Sequence, residues 1–71
     1  MDNRVELALY VINLKIADSI KTNKETDFDK FKAKMDILYD EKEQVYKHNE
    51  EVIEKILTVY LEEFKQEFKQ N

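Results

Sequence analysis

The stretch VYKHNEEVIEKILTVYLEEF, residues 45–64, decides how many helices this chain forms. Apolar residues recur at helical spacing on both sides of His48 and Asn49. At about 100° per residue, the apolar positions before and after this polar pair fall on one arc without a change of phase. Two separate helices have no reason to keep a shared phase across their junction. The pattern therefore predicts one continuous or gently kinked helix from about Thr26 to Gln70.

A break at Asn49 is the alternative. Asparagine is a favourable N-cap, and Glu50 and Glu51 would suit the first turn of a new helix. Three segments of about twenty residues each would then form a monomeric three-helix bundle. Against a break, the chain would have to turn at KHNE, residues 47–50, without a glycine to end the preceding helix, because the sequence contains no glycine.

The long-helix interpretation gives Asn49 a specific role. Lys42 and Asn49 are the two polar residues inside the apolar stripe, seven positions apart. Seven residues are one heptad, so both would occupy equivalent positions in a helical seam. A polar residue at such a position can fix register and oligomeric state at some cost in stability. We assign that role to Asn49, whereas for Lys42 the simpler interpretation is that its ammonium group reaches water.

The length of the chain limits the size of its core. Its 71 residues make one helical domain, 1–71. Such a chain buries only about 60% of its unfolded surface, so its stability is marginal without a supplement. Cysteine is absent and His48 is the only histidine, so neither a disulfide nor a zinc cluster can stabilise it. We therefore predict oligomerisation or a bound partner.

Glycine and proline are both absent, which favours few long helices and an all-α fold. The first segment, about residues 2–21, carries two apolar strips, and a helix that is apolar on two faces is normally buried on two faces. The polar run KTNKET, residues 21–26, then predicts a loop that ends with Thr26 as the N-cap of the next helix. The first strip comprises Val5, Ala8, Leu9, Ile12, Ile16 and Ile20, and the second Leu7, Tyr10, Val11 and Leu14.

The C-terminal stretch gives the strongest functional signal. Its apolar residues cover an arc of roughly 200°, more than one neighbouring helix can bury. The first helix could also cover only about half the length of the long helix. We therefore predict a helical hairpin with unequal arms that assembles as a homodimeric four-helix bundle. The predicted interface residues are Ile53, Ile56, Leu57, Tyr60, Leu61, Phe64 and Phe68.

No group of residues indicates catalysis, and we predict neither a catalytic, metal nor cofactor site. His48 is the one side chain that could act as a general base near neutral pH, with Glu51 three positions later. A nucleophile, a phosphate-binding glycine loop and a second acid–base group are missing from the pattern. We predict a non-enzymatic protein-interaction module, a small acidic regulator or adaptor that acts as a homodimer.

Charge weighs against nucleic acid as a partner. The formal net charge is −4, and the acidic residues are concentrated at Glu50, Glu51, Glu54, Glu62, Glu63 and Glu67. The alternative function is a helical nucleic-acid-binding or nucleic-acid-mimicking regulator, because three lysines, at positions 30, 32 and 34, lie close to two phenylalanines. Aspartates interrupt that cluster, as is typical of a solvated helix face.

Neither end of the chain nor its interior predicts contact with a membrane. The N-terminal run lacks a signal-peptide cleavage pattern. No stretch reaches the roughly 18 apolar residues that a membrane-spanning helix needs. The cytoplasm is therefore the expected location.

Overall fold

Three helical arms surround one apolar core in the computed structural model, which describes the backbone of residues 3–69 and the side chains of residues 3–66. The third arm consists of two α-helices joined by one turn of π-helix. The elements are α1 (Asn3–Lys21), α2 (Phe28–Tyr46), α3 (Glu50–Lys55), the π turn (Ile56–Tyr60) and α4 (Leu61–Lys69). No strand occurs between residues 3 and 69. The all-α prediction is confirmed.

Every arm contributes to the core. The first apolar strip of α1 lies inside the bundle as predicted, except that Ile20 is exposed. The side chains of α3 and the π turn pack against α1 and α2, so the core is completed within a single chain. The buried apolar residues are Val5, Ala8, Val11, Ile12 and Ile16 from α1, Met35, Leu38 and Val45 from α2, and Ile53, Ile56 and Tyr60 from the third arm.

The chain turns back at Lys47 and His48, so the prediction of one long second helix is wrong. His48 has φ of 59°, the left-handed conformation that glycine usually supplies after a helix. Its backbone N–H donates to the carbonyl oxygen of Val45 at 2.9 Å. A histidine therefore ends α2 where the sequence contains no glycine, and the three-helix alternative describes the fold.

Asn49 is the N-cap of α3 and does not lie on an unbroken helical seam. Its side-chain oxygen accepts hydrogen bonds from the backbone N–H groups of Glu51 and Val52, at 3.1 and 3.3 Å. Its amide nitrogen donates to the side-chain oxygen of Gln44 at 3.2 Å. The cap thus satisfies the first N–H groups of α3 and ties them to the end of α2.

The shared phase of the apolar stripe has another cause than a continuous helix. Val45 on α2 and Ile53 on α3 both face the same core. Each helix needs only to turn its own stripe toward that core, and a short turn allows this without any change in the sequence pattern. Folding back also buries Ile56 completely, which an extended arm could not do within one chain.

The loop between α1 and α2 ends one residue later than predicted. Asp27, not Thr26, is the N-cap of α2. One carboxylate oxygen of Asp27 accepts from the backbone N–H groups of Asp29 and Lys30, at 2.9 and 3.3 Å. A carboxylate at this end also complements the positive end of the helix dipole.

α1 and the third arm run in the same direction, and α2 runs in the opposite direction between them along the chain. Arg4 near the start of α1 lies beside Glu50 at the start of α3, and Lys15 lies beside Glu63 in α4. None of the helices between residues 3 and 69 has the length and apolar character that crossing a membrane requires.

Candidate interaction site

An apolar strip on α1 stays at the surface of the bundle. Leu7, Tyr10 and Leu14 are 44%, 63% and 39% exposed, and we call these three residues the α1 strip. The sequence predicts that both apolar faces of α1 are buried, yet only Val11 of the second face is covered in the single chain. The α1 strip is therefore an apolar helix face that the single chain covers only in part.

A groove of about 610 Å³ extends from the α1 strip to α4. Leu61 and Phe64 form its second wall, and both are partly buried against the core. The groove is lined mainly by apolar side chains, and Asp18 and Lys21 bring opposite charges to it. Its lining residues are Leu7, Tyr10, Val11, Leu14, Ala17, Asp18, Lys21, Leu61 and Phe64.

Ion pairs connect α1 to the third arm on one side of the bundle. The Arg4 guanidinium contacts carboxylate oxygens of Glu50 and Glu54, at 3.0 and 3.2 Å. Further along, the Lys15 ammonium contacts Glu63 at 2.8 Å. Because these side chains are partly or largely exposed, each pair contributes little to stability. The ion pairs mark the edge of α1 along which α3 and α4 lie.

A buried polar cluster joins α2 to the third arm. Glu41 is only 6% exposed. Its Oε1 accepts a hydrogen bond from the Tyr60 phenol at 2.6 Å, and its Oε2 accepts from the Lys55 ammonium at 2.7 Å. The ammonium groups of Lys15 and Lys55 each lie 5.4 Å from the centre of the Tyr60 ring, within range of cation–π attraction. A buried carboxylate requires such partners, because an unpaired charge in the core is strongly unfavourable.

The π turn brings Lys55 and Tyr60 to the same carboxylate. The Leu61 N–H donates to the carbonyl oxygen of Ile56, an i→i+5 bond. Side chains five positions apart lie about 140° apart round a regular α-helix, whereas i→i+5 bonding widens the turn and brings them closer together. The Thr58 hydroxyl donates to the carbonyl oxygen of Glu54 at 2.8 Å, which satisfies a backbone acceptor where the helix widens.

The cluster changes the proton affinity of two of its members. Burial raises the pKa of the Tyr60 phenol, and its hydrogen bond to Glu41 raises that pKa further. The hydrogen bond to Glu41 raises the pKa of the Lys55 ammonium, although partial desolvation opposes it. In both cases the protonated form is the one that stabilises the carboxylate of Glu41. The protonated cluster therefore supports the packing of α2 against the third arm.

The predicted interface residues occupy two different environments. Ile53, Ile56 and Tyr60 are covered within the single chain, with 1%, 0% and 8% of their surface exposed. Leu57, Leu61 and Phe64 are partly buried against the core, and the last two line the groove. The side chain of Phe68 lies outside the described residues. Among the described residues of the predicted interface, Leu57, Leu61 and Phe64 keep part of their surface exposed, and Leu61 and Phe64 form the second wall of the groove.

Several residues that shape this region were missed by sequence reasoning. The sequence pattern assigns no role to Glu41 or Lys55, although a glutamate on the buried side of α2 is a detectable signal. The sequence shows that the α1 strip is apolar but predicts that it is buried. The spacing of Lys55 and Tyr60 does not predict that both side chains reach the same carboxylate, because residues five apart do not share a face in a regular helix.

His48 occupies the turn before α3, and its side chain is exposed. Among the side chains of residues 3–66, no three histidine, cysteine, aspartate or glutamate residues are grouped so that they could hold a metal ion. The absence of a catalytic, metal or cofactor role stays a prediction. Comparisons of the chain with models of protein families, with curated proteins and with solved structures give no match.

Proposed function

We propose that this protein is a non-enzymatic protein-interaction module that acts as a homodimer, with the α1 strip and the groove as its contact surface. The observation that carries this proposal is the exposure of Leu7, Tyr10 and Leu14 on one face of α1. Contiguous exposed apolar residues mark association sites, because water contact with them is unfavourable.

A second copy of the chain suits this surface for two reasons. The core of a 71-residue chain is small, and a dimer interface would extend it. Leu7, Tyr10 and Leu14 are separated by three and four positions, the spacing with which helices pack along a shared seam. Pairing of this surface with itself would bring together α1 and α4 from each copy as a dimeric four-helix bundle.

The acidic face of the third arm would remain outside this dimer. Glu50, Glu51 and Glu54 on α3 and Glu62 and Glu63 on α4 are exposed, and three of these carboxylates also contact Arg4 or Lys15 of α1. Exposed carboxylates on a small helical scaffold favour a partner with a basic surface, through electrostatic steering. The proposed role is therefore that of a small acidic regulator or adaptor that presents this face to a protein partner.

Sedimentation equilibrium of Tyr10→Glu tests the homodimer. Tyr10 is 63% exposed, so the substitution leaves the core intact while it adds a charge to the α1 strip. The wild type is expected to have the mass of two chains at tens of micromolar, and Tyr10→Glu the mass of one. Circular dichroism should show the same helical content in both proteins.

Tyr39→Glu is the matched control, because Tyr39 is 51% exposed on α2 and outside the groove. This variant should dimerise like the wild type. A wild type with the mass of one chain at all concentrations would overturn the proposal. Equal loss of the dimer in Tyr10→Glu and Tyr39→Glu would instead exclude the α1 strip as the specific contact.

A further inference from the structure

We infer that the two copies pair antiparallel, α1 against α1, about a two-fold axis that passes between Tyr10 and Leu14. This inference rests on the homodimer proposed above and specifies its geometry. One face of α1 carries positions 3, 7, 10, 14, 17 and 21, which are separated alternately by four and three residues, and all of these except the first line the groove. That series is the same in both directions along the helix. An antiparallel copy therefore meets every position of the face with another position of the same face.

The side chains at these positions fit one another in the antiparallel register. Tyr10 of one copy faces Leu14 of the second copy, and Leu7 faces Ala17. Two-fold symmetry repeats both pairs. Large residues thus oppose smaller ones in four consecutive layers, which is the alternation that lets helices approach closely. At each end of the apolar layers, Asn3 faces Lys21.

Charge also favours the antiparallel arrangement. In a parallel pair with the two helices in register, Lys21 would face Lys21 of the second copy, and like charges in a seam repel. The antiparallel pair separates these two lysines to opposite ends of the interface. The dipoles of the two α1 helices then oppose each other, which is favourable.

The position of α4 gives a third reason. Leu61 and Phe64 line the groove together with Val11 and Asp18. At about 100° per residue these two α1 residues lie on the same edge of α1 as Lys15, which contacts Glu63 of α4. A two-fold axis perpendicular to α1 places α4 of both copies on the same side of the α1 pair. An axis parallel to α1 would place them on opposite sides. Only the antiparallel dimer therefore combines both apolar walls, from the two α4 helices, in one four-helix layer.

Single-cysteine variants test this geometry directly, because the sequence contains no cysteine. The variants are Leu7→Cys and Ala17→Cys, each oxidised alone and as an equal mixture. In the antiparallel dimer, residue 7 faces residue 17 of the second copy, within the short Cα separation that a disulfide needs. Each residue is about 15 Å from its own equivalent along the helix axis. The mixture should therefore form a cross-linked dimer at several times the yield of either variant alone.

Ile37→Cys is the control, because Ile37 is exposed on α2 and outside the groove; it should stay uncross-linked. The mass of every variant is measured first in reducing buffer. A dimeric mass with efficient cross-linking of Leu7→Cys alone would overturn the antiparallel inference and leave the homodimer standing. A dimeric mass without a cross-link in the mixture would also overturn it. A monomeric wild type would instead remove the proposed function itself.

Discussion

Glu41 and Tyr60 join α2 to the third arm through a buried hydrogen bond of 2.6 Å from the phenol to the carboxylate. The same carboxylate accepts from Lys55 at 2.7 Å. Both partners come from the same stretch of chain, which the π turn reshapes so that they reach one acceptor. The cluster therefore fixes the position of α3 and α4, and with it the wall of the groove.

Tyr60→Phe should lower the free energy of unfolding by about 1–3 kcal/mol. The substitution removes one donor from a buried carboxylate while it keeps the ring in the core. Urea denaturation followed by circular dichroism measures the change. Tyr39→Phe is the control, because the exposed Tyr39 should cost less than about 0.5 kcal/mol. Equal stability of Tyr60→Phe and the wild type would show that the hydrogen bond contributes nothing.

Alkaline pH should weaken the fold through the same cluster. The folded protein binds the protons of Tyr60 and Lys55 more tightly than the unfolded chain does, because both pKa values are raised. Their stabilising contribution is complete below the unfolded pKa values of about 10, and it is lost as pH rises through the folded values. The urea midpoint should therefore fall above about pH 10.

A double variant isolates this effect from general alkaline denaturation. Tyr60→Phe combined with Lys55→Met removes both titrating groups, so its urea midpoint should decline less steeply than that of the wild type across the same pH range. Parallel declines in the two proteins would contradict the assignment of the effect to this cluster.

The N-cap role of Asn49 predicts the direction in which two substitutions change the stability of the protein. Asn49→Leu removes the acceptor for the N–H groups of Glu51 and Val52 and should cost about 1 kcal/mol. Asn49→Asp keeps an acceptor and adds a charge that the start of α3 favours, so it should be tolerated. Thermal and urea denaturation of both variants check this. Higher stability of Asn49→Leu together with lower stability of Asn49→Asp would contradict the N-cap and support a continuous helix.

His48 provides an independent test of the turn. A non-glycine residue at φ of 59° has a steric cost of about 1–2 kcal/mol. His48→Gly relieves that cost but gains freedom in the unfolded chain, so a net stabilisation of about 0.5–1 kcal/mol is expected. His48→Val should destabilise, because a β-branched residue fits this conformation poorly. A glycine variant less stable than the valine variant would exclude the turn.

Part of the fold can be predicted from the sequence. The buried face of α1 followed from helical spacing, since Val5, Ala8 and Ile12 obey it. The turn at His48 was not decided by the sequence, because glycine is the usual signal for a left-handed residue and a histidine fills that position. Periodicity indicates which face of a helix is apolar, but not whether the chain turns back before the next face begins.

The surroundings of the groove depend on tertiary contacts that the sequence does not display. Glu41 meets Tyr60 only after α2 and the third arm lie side by side. The π turn that aims Lys55 at the same carboxylate has no spacing signature in a pattern based on regular helices. The sequence predicts Leu61 and Phe64 as contact residues because their apolar arc exceeds what one neighbouring helix can bury.

Isotope-filtered NOE spectroscopy on an equal mixture of ¹³C-labelled and unlabelled chains tests most directly whether the α1 strip joins two copies. The account predicts contacts between chains from the methyl groups of Leu7, Leu14 and Leu61, and none from those of Ile53 or Ile56, which are buried in the core of each chain. Contacts between chains confined to α2, or their complete absence at millimolar concentration, would contradict it.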